Sequence, residues 1–157
     1  MISPVVVAIV ATCWAPPVDA PVSRRFEAPA CTWCPGHRGL EFATAAGTEV
    51  RAVAAGTVTF AGAVAGRSYV TVTTPAGWQI TYGYLAARSV GAGSSVGAGQ
   101  VVGVTGDPLL LTVRIGGQYV DPARFVGTPR WPLRLVPSDG AAPRPAGAPR
   151  LQCADPP

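Results

Sequence analysis

Between residues 39 and 126 the chain alternates apolar and polar positions in short runs, each ended by turn residues. "TVTFAGAV" (57–64) and "SYVTVTT" (68–74) are rich in Val, Thr and aromatics, the composition of half-buried strands. "PAGW" (75–78) reads as a tight turn and "QITYGYL" (79–85) as the return strand, so the two runs form a hairpin. "GAGSSVGAG" (91–99) is a glycine-rich connection and "QVVGVTG" (100–106) a further strand. "LLLTVRIGG" (109–117) followed by "QYV" (118–120) reads as a last hairpin. No segment holds a helical period over three turns. The pattern predicts an all-β domain, a compact antiparallel sheet arranged as a sandwich or barrel.

A weak internal repeat supports that architecture. "GTEVRAVAAGTV" (47–58) and "GSSVGAGQVVGV" (93–104) share a Gly-[Thr/Ser]-x-Val opening, and both close on a glycine followed within two residues by valine. Two strand–turn–strand units related by a pseudo-twofold would give this match.

Different chemistry frames the domain. Residues 1–20 carry an apolar run at 5–11, too short to cross a bilayer. The run fits the core of a secretory signal, with Ala15 or Ala20 closing the cleavage site. The front, "MISP", has no Lys or Arg, so the signal is atypical or starts upstream. Lipidation at Cys13 fits less well, because a threonine precedes it. The expected plan is a leader at 1–20, the β-domain at 21–127 and a Pro/Arg-rich, mostly disordered tail at 128–157. Within that tail "RWPLRLV" (130–136) is the stretch suited to docking on the domain.

Composition narrows the class. With 48% hydrophobic and 13% charged residues the chain is too apolar to be disordered, and 157 residues suffice for one core. All twelve basic residues are arginine, and the net charge of +4 is scattered. That suits weak attraction to an anionic polymer; no aromatic-interleaved basic patch points to nucleic acid. Four cysteines stand at 13, 31, 34 and 153. In an exported chain Cys31 and Cys34 form a local disulfide. A thioredoxin-like pair needs a strand before it and a helix after it, whereas the flanks here are "FEAPA" and "PGHRG". A cysteine zinc site needs a second close pair, which Cys13 and Cys153 do not make. His37 is the one histidine, with Glu41 four residues on. Taken singly, His37 suits a half-buried imidazole bonded to a loop backbone, and Glu41 a charge paired with Arg38 or another arginine.

Seven blocks in order carry a family likeness: "RF" (25–26), "PGHRGLE" (35–41), "GTEVRA" (47–52), "AGTV" (55–58), "TYGYL" (81–85), "VGAGQVVG" (96–103) and "YVDP" (119–122). Over about residues 22–126 the chain resembles the lysostaphin/LytM family of zinc peptidoglycan endopeptidases. The resemblance implies a small β fold with a duplicated hybrid motif. It also implies a zinc held by His-x-Gly-x-Asp and the second histidine of a later His-x-His. The first histidine of that pair and another in Tyr-x-His-Leu serve the chemistry. Here His37 keeps the first ligand position and Glu41 replaces the aspartate. Tyr84 stands where the Tyr-x-His-Leu histidine belongs, and Pro108 and Leu110 replace the His-x-His pair.

One histidine cannot fill four histidine positions, so the resemblance leads to a catalytically inactive member. No zinc or other cofactor is expected, no catalytic residue is assigned, and His37 and Glu41 remain as relic metal positions. The expected role is binding cell-wall peptidoglycan, or regulating a wall hydrolase, through the old groove. The expected place is the cell envelope or beyond, with no transmembrane span in the mature chain. Trp78, Tyr82 and Tyr84 are the expected ligand contacts; the plainer reading of the two tyrosines is ordinary strand packing, one on each face. Three rivals differ in class. One is an active zinc metalloendopeptidase with an altered metal site. Another is a biotinyl or lipoyl carrier, suggested by "VGAGQVVG" but lacking any lysine for attachment. The third is a structural domain without a ligand.

Overall fold

The computed structural model describes residues 13–130 and 147–153. Strand β1 (Val22–Arg24) leads through a long loop to β2 (Leu40–Phe42) and β3 (Glu49–Arg51). The hairpin β4 (Gly56–Val64) and β5 (Arg67–Thr73) turns at Ala65 and Gly66, both at positive φ, the conformation that lets two strands return tightly. β6 (Gln79–Arg88), β7 (Ser95–Val96), β8 (Val101–Ile115) and β9 (Gln118–Val120) follow. A 3₁₀ turn, Pro122–Arg124, precedes β10 (Thr128–Arg130), which pairs with β11 (Arg150–Gln152). The main sheet is antiparallel, in the order β1-β2-β8-β6-β5-β4-β7, with β3 and β9 also bonded to β8. No helix among the described residues is long and apolar enough to cross a membrane.

β8 organises the molecule. The two expected strands at 100–106 and 109–115 are one continuous 15-residue strand, bonded in turn to β2, β3, β6 and β9. Its alternation separates two faces. Leu109, Leu111 and Val113 are fully buried, while Leu110 and Arg114 are partly exposed on the other side. The core is completed by Val58, Val70, Val72, Ile80 and Tyr82 from the neighbouring strands.

The repeat is real at the level of pairing. β3 bonds to β8, and β7, which lies within the glycine-rich connection, bonds to β4. In the first unit Gly47 N–H donates to Thr105 O, and Thr105 N–H to Thr48 O; in the second, Gly93 N–H donates to Val58 O, and Val58 N–H to Ser94 O. The equivalent residues Val50 and Val96 are both buried.

Segments on both sides of the expected β-domain pack against it. Residues 13–20 lie along the sheet. Trp14 and Val18 are buried; Trp14 N–H donates to Phe125 O at 2.7 Å, and Arg51 N–H to Pro17 O at 2.9 Å. Burial of two large apolar side chains outweighs the loop-like look of a Pro-rich segment. Residues 147–153 are likewise held, by β11 and by a disulfide from Cys153 to Cys13 with Cα atoms 5.6 Å apart. The leader expectation for residues 1–12 and the docking expectation for 131–136 lie outside the described residues.

Candidate functional site

The histidine loop is fixed by backbone pairing. Glu27 N–H donates to His37 O at 2.8 Å and His37 N–H to Glu27 O at 2.9 Å. A Cβ on Gly36 would stand 2.8 Å from Glu27 O, and one on Gly39 would run into the carbonyl oxygen of Leu111. The two glycines let the loop lie against both neighbours, which buries His37. Its Nδ1 lies 2.8 Å from Arg25 O. A carbonyl only accepts, so Nδ1 carries the hydrogen. Nε2 faces Glu41 Oε1 at 3.2 Å. Glu41 therefore pairs with His37 and not with Arg38, whose Nη2 donates to Thr32 O at 2.8 Å and Cys34 O at 3.4 Å. That short loop is closed by a disulfide between Cys31 and Cys34.

Sheet register gathers the remaining relic positions. Glu41 stands opposite Leu110, and Leu110 opposite Gly83, next to Tyr84. Tyr84 has φ 64°, and the register shifts between Gly83 and Leu85. This bulge turns Tyr84 to the open side although Tyr82, two residues earlier, points into the core. The Arg67 guanidinium lies 4.1 Å from the Tyr84 ring centroid, and Tyr69 meets that ring edge-on at 6.1 Å. Burial, and then the neighbouring Tyr84 phenol, raise the Tyr69 pKa against the lowering influence of Arg67.

Two expected contacts are elsewhere. Tyr82 is fully buried, and its hydroxyl accepts from Val53 N–H at 2.8 Å; it offers no surface to a ligand. Burial drives its phenol pKa far above the usual range. Trp78 shares the parity of buried Ile80 and Tyr82, and so the closed face. It packs at 6.0 Å on Trp14 and 5.2 Å on Phe125 (centroid distances), beside a separate cavity of about 310 Å³.

The open face holds a feature the sequence did not single out. Thr71 pairs with Thr81, and Thr81 with Thr112, making a polar row across β5, β6 and β8. The Thr71 and Thr81 hydroxyls are 2.8 Å apart. Phe60, Tyr69, Leu110 and Tyr119 rim this row around a groove of about 270 Å³. Strand alternation marks the threonines as facing one way; only register shows that they form one row.

Fold and site define a β-domain of the peptidase type. Residues 35–122 match peptidase family M23, and the chain belongs to that family. It is 34% identical over 129 residues to an uncharacterized protein of Mycobacterium tuberculosis, covering 74% of this chain and 51% of the relative. The chain thus spans about half the length of the curated relatives it matches. Csd3 of Helicobacter pylori has a similar fold, with TM-score 0.66 and 22% identity over 75% of this chain and 36% of Csd3. The catalytic domain of lysostaphin from Staphylococcus simulans does too, with TM-score 0.57 and 20% identity over 66% of this chain and 89% of that domain.

A catalytic zinc takes three protein donors and leaves one position open. The residues here do not fit it. His37 donates Nδ1–H to Arg25 O, which leaves Nε2 facing Glu41, so the pair offers two donors of the three. Leu110 and Tyr84 bring a hydrocarbon and a phenol where the resemblance implies imidazoles. Among the described residues no three His, Cys, Asp or Glu side chains cluster.

Proposed function

We propose that this domain binds cell-wall peptidoglycan in the envelope without cleaving it, and that it acts on the wall or on a wall hydrolase through that binding. The observation that carries the proposal is the open groove. A threonine row and an aromatic rim run up to positions where Leu110 and Tyr84 replace the chemistry. Hydrolysis needs an activated water and a base, whereas binding needs contact area, aromatic faces and hydroxyl groups. Two disulfides support an oxidising location outside the cytoplasm. The net charge of +4 suits an anionic wall, so binding weakens as salt rises.

Sedimentation with purified wall tests this. Tyr69→Ala and Thr81→Arg, which remove the rim and block the floor, should abolish co-sedimentation. Trp78→Ala, on the closed face, should retain it. Equal sedimentation by all three variants would remove the groove from the account.

A further inference from the structure

A second opening, of about 440 Å³, lies between the loop of residues 26–38 and the β8–β9 hairpin. Arg38 and Arg114 both line it. Neither has a carboxylate partner among the described residues, where the ion pairs are His37–Glu41 and Arg51–Glu49. Each guanidinium has five N–H donors. Arg38 spends Nη2 on two loop carbonyls, and Arg114 spends Nη2 on Gly117 O at 3.2 Å. The Nε–H of Arg114 is buried and has no partner. Its guanidinium stands 5.1 Å from the Tyr119 ring centroid, which fixes its plane. Two cations in one cleft with unused donors and no counter-charge leave it electrostatically incomplete.

We propose that this cleft is an anion subsite that takes the terminal carboxylate of a short peptide, held by Arg38 and Arg114. A planar carboxylate matches the guanidinium fork. The link to a peptide is Tyr119, which lines both this cleft and the threonine groove. Arg114 also shares a face of β8 with Thr112 and Leu110 by strand alternation. The four residue steps from Leu110 to Arg114 span about 13 Å, so an extended peptide of about four residues reaches from the relic site to the cleft. The Cys31–Cys34 disulfide closes the loop whose carbonyls orient Arg38, which makes it a positioning element for the subsite. The inference rests on the groove reading and deepens it, by making peptide rather than glycan the part recognised.

The test is an NMR titration of the isotope-labelled full chain, following the Arg38 and Arg114 Nε–Hε signals and the Tyr119 amide. The probes are N-acetyl-trialanine with a free carboxylate, its C-terminal amide, and inorganic phosphate. The acid should shift all three signals, and the amide should bind about tenfold more weakly, the scale of one lost charge-assisted contact. Arg38→Gln and Arg114→Gln should each weaken the acid by a similar factor and leave the amide unchanged. If a variant does not fold, the acid–amide comparison on the unaltered chain decides alone. Equal binding of acid and amide overturns the subsite, as does phosphate binding more tightly than the acid. An acid-specific response in a chain that fails to sediment with wall keeps the subsite and removes the wall-binding proposal. Sedimentation without any acid-specific response does the reverse.

Discussion

Replacing Cys13 and Cys153 together by serine tests how the two ends of the domain are held. The disulfide joins residues 140 apart in sequence. In the chain-entropy account a closed loop of that length stabilises by about 5 kcal/mol, while disulfides typically contribute about 2–4 kcal/mol. The link also holds Trp14 against Phe125, with ring centroids 5.1 Å apart, and places Cys153 beside the β10–β11 pair. We expect the double variant to lose about 2–5 kcal/mol in urea unfolding followed by tryptophan emission. At about 2–4 °C per kcal/mol for a chain of this size, the melting temperature should fall by roughly 4–20 °C. A loss below about 0.5 kcal/mol, the range of ordinary surface changes, would refute the reasoning. The same logic bears on processing: cleavage after Ala15 or Ala20 would remove Cys13 and Trp14. The N-terminus of exported protein, read by mass spectrometry, should therefore lie upstream of Cys13.

Tyr82→Phe should cost about 1–3 kcal/mol in the same unfolding assay, because Val53 N–H is left buried and unpaired; an unchanged midpoint would mean that another acceptor takes over. Burial raises the Tyr82 pKa, and Tyr69 is raised to a lesser degree. The folded state thus favours neutral phenols, and that stability is complete below the ordinary tyrosine value of about 10 and lost as pH rises above it. Stability should fall above about pH 10, and the fall should be shallower in Tyr82→Phe; equal slopes would contradict the assignment. Leu110→His combined with Glu41→Asp should gain zinc in equilibrium dialysis relative to the unaltered chain. One zinc per unaltered chain, lost on His37→Ala, would overturn the account of the donor set.

The strand pattern at 57–85 was legible because Val and Thr alternate on either side of turn residues, and alternation is a local property. The repeat was legible for the same reason: Gly47 and Gly93 open equivalent turns, both at positive φ. Family membership came from blocks kept in order, including the "PGHRGLE" that sets His37 beside Glu41. Long-range pairings were hidden. Nothing near Trp14 says that Phe125 and Trp78 will cover it, and nothing near Cys153 names Cys13. The bulge at Tyr84 was hidden too, because a positive φ at a tyrosine has no local sequence signal. A sequence shows the aromatic content at Tyr82 and Trp78 but not that Tyr82 is sealed in the core while Trp78 lines a cavity on the opposite side from the threonine row. The pairing of Glu41 with His37 rather than an arginine follows from the buried loop geometry, which the spacing alone leaves open.

Purified wall, incubated with the full chain and analysed both for sedimented protein and for released muropeptides, tests the central claim most directly. The account predicts protein in the pellet and no new muropeptides, with or without added zinc. Muropeptides that appear with the chain and disappear with a chelator would contradict it.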